Sequence, residues 1–202
     1  MENNDLFGGV YYINLESRTD RKQEIEEELN KMGLKYNRFN AIQNDYGIIG
    51  CTQSHLEVLK DAKRNNLKNV LIFEDDFLFL ISKERFFEQI TSFFDQNNDY
   101  DVLMLSYNLN KSEDYNEQLY KVLDCQTASG YIVNNKFLDK LINLYEQNLP
   151  LLISTGMHWV YANDVVWKQL QPNSNWFALK ERAGLQRPSY SNLTNSFVDY
   201  KC

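Results

Sequence analysis

A continuous apolar run at residues 69–73 (NVLIF) breaks into three consecutive acids, Glu74, Asp75 and Asp76. An uninterrupted apolar strand reads as buried in a sheet covered by helices. The acids then mark its carboxyl end, where open α/β sheets bind ligands. Three adjacent carboxylates repel one another, and a divalent cation removes that repulsion. Mn²⁺ or Mg²⁺ takes carboxylate and phosphate oxygens together, so the motif suits a metal-held diphosphate. Side chains i and i+2 share one side of an extended strand, which pairs Glu74 with Asp76. The alternative is that one acid caps the next helix and the others are solvated.

The surrounding pattern predicts an alternation of strands and helices. Gly9–Asn14 (GVYYIN) is β-rich. Residues 18–33 carry Ile25, Leu29 and Met32 at helical spacing, with Gly33 as a C-cap. Residues 35–41 read as a strand, 48–66 as a helix, 83–94 as a helix and 101–105 as a buried strand. The order β-α-β-α-β-α-β implies a mainly parallel sheet with helices on both faces, an α/β fold. Residues 106–119 are polar and read as a long surface loop. Two short strands are expected within 120–133, a helix at 135–145, an irregular stretch at 149–161 and a short helix at 164–170. The tail, residues 176–202, is poorly periodic and is expected to cover the sheet or the site, with a fraying end. One domain over residues 1–202 fits the length.

The formal net charge of -7 argues against nucleic acid as a partner, because no basic field exists to release counterions. The apolar runs are too short to span a bilayer, and the N-terminus lacks a basic, then apolar, leader. Three cysteines, Cys51, Cys125 and Cys202, are an odd and sparse set that points to a reducing, cytoplasmic setting. Among 13 Tyr and 12 Phe, tyrosine surfaces suit sugars, but Tyr also packs cores well, and packing is the readier reading. Abundant Asn, Lys, Ile and Tyr suggest an AT-rich coding genome, viral or bacterial, and say nothing of chemistry. Oligomeric state is not legible.

Four segments, in order, resemble glycosyltransferase family 25, the lipooligosaccharide and procollagen glycosyltransferase group. The stretch from Tyr12 to Arg21 (YINLESRTDR) is similar to the family's opening strand and turn. Gly50-Cys51-Thr52-Gln53-Ser54-His55 resembles its G-C-x-x-S-H element, and Phe73-Glu74-Asp75-Asp76 its L-E-D-D strand end. Ala128-Ser129-Gly130-Tyr131-Ile132-Val133 resembles a later segment, with the small residues placed differently. Asn163-Asp164 resembles a late acidic position. The resemblance runs from about Val10 to Leu170. It implies a GT-A fold, a nucleotide-sugar donor such as a UDP-sugar, a divalent metal and inversion at the anomeric carbon. The acceptor it implies is a hydroxyl on a glycan, a lipid-linked sugar or a modified protein side chain such as hydroxylysine.

On that resemblance, Asn14, Leu15, Arg18, Arg21, Ser54, His55, Asp75, Ser129 and Gly130 are expected around the nucleotide-sugar. Glu74 and Asp76, joined by His158, are expected to hold the metal, and Asp164 is the candidate general base. Each has a plainer alternative. Arg18 and Arg21 could pair with Glu24 or Glu28 on their own helix, His158 could pack on Trp159, and Asp164 could cap its helix. Lys180, Arg182 and Arg187 could reach the diphosphate from the tail or be solvated. Cys51 and His55, four apart, share a helix face, but no third group orients them as a nucleophile pair, and Cys51 reads as a core thiol. Two rival functions remain. A metal-dependent nucleotidyltransferase would want an early glycine-rich basic loop, and Gly8-Gly9 precedes the first strand instead. A non-catalytic binding module would not need the acids.

Overall fold

The computed structural model describes residues 3–191, 196–199 and 202. The strands are β1 (Gly9–Asn14), β2 (Asn37–Asn40), β3 (Asn69–Glu74), β4 (Phe77–Phe79), β5 (Val102–Met104), β6 (Asn108–Asp114), β7 (Leu119–Gln126), β8 (Gly130–Asn134), β9 (Trp176–Leu179), β10 (Gly184–Gln186), β11 (Ser189–Ser191) and β12 (Ser196–Val198). The helices are α1 (Thr19–Met32), α2 (Gly47–Arg64), α3 (Lys83–Gln96), α4 (Asn135–Thr155), α5 (His158–Tyr161) and α6 (Asn163–Val166). An eight-stranded sheet runs β2-β1-β3-β8-β5-β9-β7-β6, while β4 pairs with β10 and β11 with β12. In the large sheet β8 runs against β3 and β5, and β7 against β9 and β6; the other six strands share one direction. The sheet is therefore mainly parallel.

Strand alternation divides the apolar residues between two cores. Val70 and Ile72 of β3 face one way, with Val102, Met104, Tyr131 and Val133, against α2 and α4. Leu71 and Phe73 face the other way, with Leu103 and Ile132, against α1 and α3. All of these sheet residues are fully buried. A one-residue slip of β3 would exchange the two sets, so the register that fixes the strand's acidic end is held from both faces.

Three expectations are corrected. Residues 106–119 are not a loop: β6 pairs with β7 as a hairpin, with register shifts between Leu109 and Ser112. β6 is a mostly exposed edge strand, so no apolar alternation betrays it. The stretch 149–161 is not irregular, because α4 continues through Pro150 to Thr155 and ends on Gly156 at φ 67°. Leu152, fully buried, anchors this last part of the helix. The tail is not merely peripheral: β9 (WFAL), buried at all four positions, sits between β5 and β7. The expected fraying end falls partly on residues 192–195, 200 and 201, which lie outside the described residues. No helix among the described residues is long and apolar enough to cross a membrane.

Candidate active site

β3 ends at Glu74, and Asp75 and Asp76 form the tight turn into β4. That turn breaks the two-residue alternation on which the pairing of Glu74 with Asp76 rested, and the acids go different ways. Asp75 accepts from Asn14 Nδ2 at 2.8 Å and from Arg21 at 3.0 Å. The same Arg21 nitrogen reaches Asp76 Oδ2 at 3.1 Å, where Gln186 Nε2 also donates at 3.1 Å. The backbone N–H of Arg187 donates to the Asp76 carbonyl at 2.6 Å. Asp76 Oδ1 is buried and has no hydrogen-bond partner.

Glu74 turns toward α2. His55 Nε2 lies 3.1 Å from its carboxylate and the Cys51 thiol 3.6 Å away. His55 Nδ1 meets the Tyr131 hydroxyl at 2.8 Å. A carboxylate only accepts, so Nε2 carries the proton toward Glu74, and in the neutral ring Nδ1 accepts from Tyr131. Burial holds the Tyr131 phenol well above its ordinary pKa, so it keeps the proton this chain requires. Burial also raises the Cys51 thiol well above its usual value, helped by the charge of Glu74, which disfavours a thiolate nucleophile.

These surroundings set the three acids apart. Burial pushes Glu74 up, but His55, the Cys51 thiol and Arg21 outweigh it and leave the carboxyl below its ordinary value. Burial raises Asp75 despite Arg21 and Asn14. Burial and the charge of Glu74 drive Asp76 up to about 7. A carboxyl raised from its unfolded value of about 3.9 to about 7 binds its proton more tightly in the folded chain. Its stabilising contribution is present at low pH and is lost as pH rises from about 4 to about 7, by at most about 1.4 kcal/mol per pH unit. The expected result, without metal, is a urea midpoint that falls between pH 5 and pH 8. Added Mn²⁺ should restore it at the upper end. A midpoint that is flat or rising over that range would remove the strained-carboxylate account of Asp76.

Two cavities meet at this cluster. The first, about 300 Å³, is lined by Leu15, Arg18, Arg21, Ser54, Asp76 and Arg187. The second, about 780 Å³, is lined by His158, Trp159, Asn163 and Asp164. Glu74, Cys51 and Gln186 line both.

The structure therefore sorts the expected residues. Leu15, Arg18, Arg21, His55, Asp75 and Ser54 gather at the first cavity, although the Ser54 hydroxyl is committed to Gly50 O at 2.7 Å and Ile42 N at 2.8 Å. Arg18 also holds Asp20 at 2.8 Å. Asn14 is buried, and its side chain bridges Asp75, the Arg18 carbonyl and Arg38, so it orients the acids. Ser129 and Gly130 line neither cavity. The Ser129 hydroxyl meets that of Ser106 at 2.6 Å, and a Cβ on Gly130 would lie 2.3 Å from the Phe77 ring. Gly130 lets β8 pass the aromatic face of β4, which is a packing role. His158 lines the second cavity and lies edge-on to Trp159, whereas Asp76 lines the first. Among the described residues, the one group of three potential ligand atoms close enough to share an ion is that of Cys51, His55 and Glu74. Lys180 and Arg182 lie at a separate hollow with Tyr107 and Tyr120; Lys180 pairs with Asp114, and Arg182 sits 4.4 Å over the Tyr107 ring. Arg187 alone of the three tail cations reaches the first cavity, where it also pairs with Glu24 at 3.6 Å.

Asp164 does not cap its helix. The N-cap of α6 is Ala162, with no side-chain cap bond. Its Oδ2 instead accepts from the backbone N–H of Thr127 at 3.2 Å. Thr127 has φ 82°, a left-handed conformation that costs a β-branched residue about 1–3 kcal/mol. Burial raises the Asp164 carboxyl above its ordinary value, against the Thr127 N–H. Sequence reasoning missed Gln186, Tyr131, Arg38 and Thr127, each of which holds one of the site's side chains.

Residues 45–157, more than half of the chain, match a family described as glycosyltransferase family 25 (LPS biosynthesis protein). No curated protein matches the chain significantly. Among solved structures, a glycosyltransferase involved in the glycosylation of the major capsid of PBCV-1 superposes with a TM-score of 0.51 at 12% identity, covering 90% of this chain and 82% of that one. A197 from STIV (TM-score 0.48, 13% identity, 85% and 81% covered) and mannose-1-phosphate geranyltransferase from Thermus thermophilus (0.49, 6%, 89% and 73%) are looser likenesses from which nothing follows. At such identity the capsid glycosyltransferase shows a shared fold only. The fold is GT-A, as the sequence resemblance implied.

Proposed function

The chain belongs to glycosyltransferase family 25, and from that premise we propose that it moves a sugar from a UDP-sugar to an acceptor hydroxyl, with inversion. The observation that supports this most is the meeting of two cavities at Glu74, one edged by arginines and acids and the other by Asp164. In this reading the first cavity takes the donor. Arg18, Arg21 and Arg187 face the diphosphate, with Arg21 also screening Asp75 from Asp76. Asn14 and Gln186 fix the two aspartates before any ligand arrives.

The donor set fits a divalent cation. Asp76 offers a buried carboxylate oxygen with no partner, in a cluster of three acids where one arginine bridges Asp75 and Asp76 and Glu74 pairs with His55 instead. Asp76, with Glu74 on the same cavity wall, would hold Mn²⁺ or Mg²⁺, which supplies Lewis acidity and offsets charge on the leaving diphosphate. The acceptor oxygen attacks the anomeric carbon as the bond to the diphosphate oxygen breaks. Asp164, at the second cavity, takes the hydroxyl proton.

Thermal unfolding tests the donor assignment. Ligand at about a hundred times its Kd stabilises the native state by about 2.7 kcal/mol. For a chain of this size, UDP with Mn²⁺ should raise Tm by roughly 5–10 °C. UDP without metal should do much less. No shift with any nucleoside diphosphate plus metal would sink the assignment. A shift without transfer or donor hydrolysis would favour a binding module.

A further inference from the structure

Resting on that donor assignment, we propose that the second cavity is an acceptor subsite for an uncharged saccharide, whose ring face stacks on Trp159 at a rim shared with Tyr46. The cavity, at about 780 Å³, is far wider than one extended side chain needs and lies within the range that holds small organic ligands. Its rim carries two large aromatics left in water, Trp159 at 63% and Tyr46 at 58% exposure. They come from different elements. Tyr46 is the N-cap residue of α2, and Trp159 lies on α5. Gly156, in the left-handed conformation that ends α4, lies beside Tyr46, where a Cβ would come 3.9 Å from the Tyr46 ring, and precedes Trp159 by three residues.

The cavity lining also includes side-chain amides, those of Asn108, Gln126 and Asn163, and Asn163 Nδ2 is buried without a partner. Planar amides that bond hydroxyls, beside a flat ring that covers C–H faces, are the chemistry of saccharide recognition. Charge narrows the class further. Asp45, Glu74 and Asp164 line the cavity, and no Lys or Arg does among the described residues. An acceptor bearing phosphate, sulfate or uronate near its reacting hydroxyl would be repelled, so the ring at this subsite carries no acidic group.

Trp167 and Trp176 are fully buried, so Trp159 is the water-exposed indole among the three and reports on its own cavity. The probes are lactose, cellobiose and maltose as neutral saccharides, a galacturonate disaccharide, and a hydroxylysine-bearing peptide. Each is titrated with and without UDP and Mn²⁺ by indole fluorescence, and by saturation-transfer NMR for variants. At least one neutral disaccharide should shift the Trp159 emission saturably, and the galacturonate disaccharide should not. Trp159→Ala should weaken that disaccharide about tenfold, the scale of one lost aromatic contact. Trp159→Phe should recover most of the loss, and UDP affinity should be unchanged in both. The proposal is overturned if no neutral disaccharide binds, if Trp159→Ala leaves its affinity intact, or if the hydroxylysine peptide is the probe that binds. Loss of UDP binding in the same titrations would strike the donor assignment instead, which the saccharide arm without UDP keeps separate.

Discussion

Asp76→Asn should abolish most sugar transfer, by about 10²–10³-fold, while leaving the fold as stable as before or more stable. The two effects part because the structure gives the two carboxylate oxygens different work. Oδ2 accepts from Arg21 and Gln186, and the amide oxygen of Asn can do the same in the same place. Oδ1 is buried and unpartnered, and the NH₂ that replaces it cannot bind a cation or offset charge on a diphosphate. Ionising Asp76 is costly in the metal-free chain, because burial and the charge of Glu74 hold its carboxyl near 7. Removing that charge relieves the folded state, so the urea midpoint of the variant should fall less between pH 5 and pH 8 than that of the native chain. The stabilisation by UDP with Mn²⁺ should shrink together with transfer. Near-normal transfer by the variant at low Mn²⁺ would show that Asp76 is not the metal ligand, whatever its pKa.

The alternation of elements was legible because it rests on burial. The two-sided apolar run of β3, the helical spacing of Ile25, Leu29 and Met32, and Gly33 as the end of α1 all follow from one-dimensional periodicity, and they match the structure closely. β6 was illegible for the converse reason, since an exposed edge strand needs no apolar pattern. Pro150 and the polar Glu146-Gln147-Asn148 before it hid the last turns of α4, which Leu152 secures by burial. The acids at residues 74–76 were visible, but their division was not. A strand that ends at Glu74 and turns at Asp75 sends Glu74 to α2 and Asp76 to β10, and no spacing rule encodes that turn. Gln186 lies 110 residues from Asp76 and reaches it only because β10 pairs with β4. At Ser129 and Gly130 a segment that resembles the family's meets Ser106 and the Phe77 ring, contacts that no spacing in the sequence encodes.

Asp164→Asn should lower transfer by at least about a hundredfold with little change in stability or in UDP binding. A structural role and a catalytic one are both open to Asp164 by geometry, and this substitution separates them. The structural role is the bond from the Thr127 N–H at 3.2 Å, which steadies a residue held at φ 82° between β7 and β8. The amide oxygen of Asn can accept that bond, so Tm should hold, whereas Asp164→Ala should lose about 1 kcal/mol. The catalytic role is acceptance of the acceptor's proton, which an amide cannot perform. Burial raises the Asp164 carboxyl, and a raised carboxyl is the stronger base once ionised. Transfer by the native chain should therefore climb with pH on its acid side as Asp164 loses its proton, and the Asn variant should lack that climb. Hydrolysis of the donor by water should fall less than transfer, because water needs less positioning. If the Asn variant transfers at the native rate while the Ala variant only loses stability, Asp164 is a tie for Thr127. The base must then be sought elsewhere, with Asp75 or Glu74, the carboxylate that lines both cavities, next in line. The lowered pKa of Glu74, set by His55 and the Cys51 thiol against burial, would make it a weaker base than Asp164.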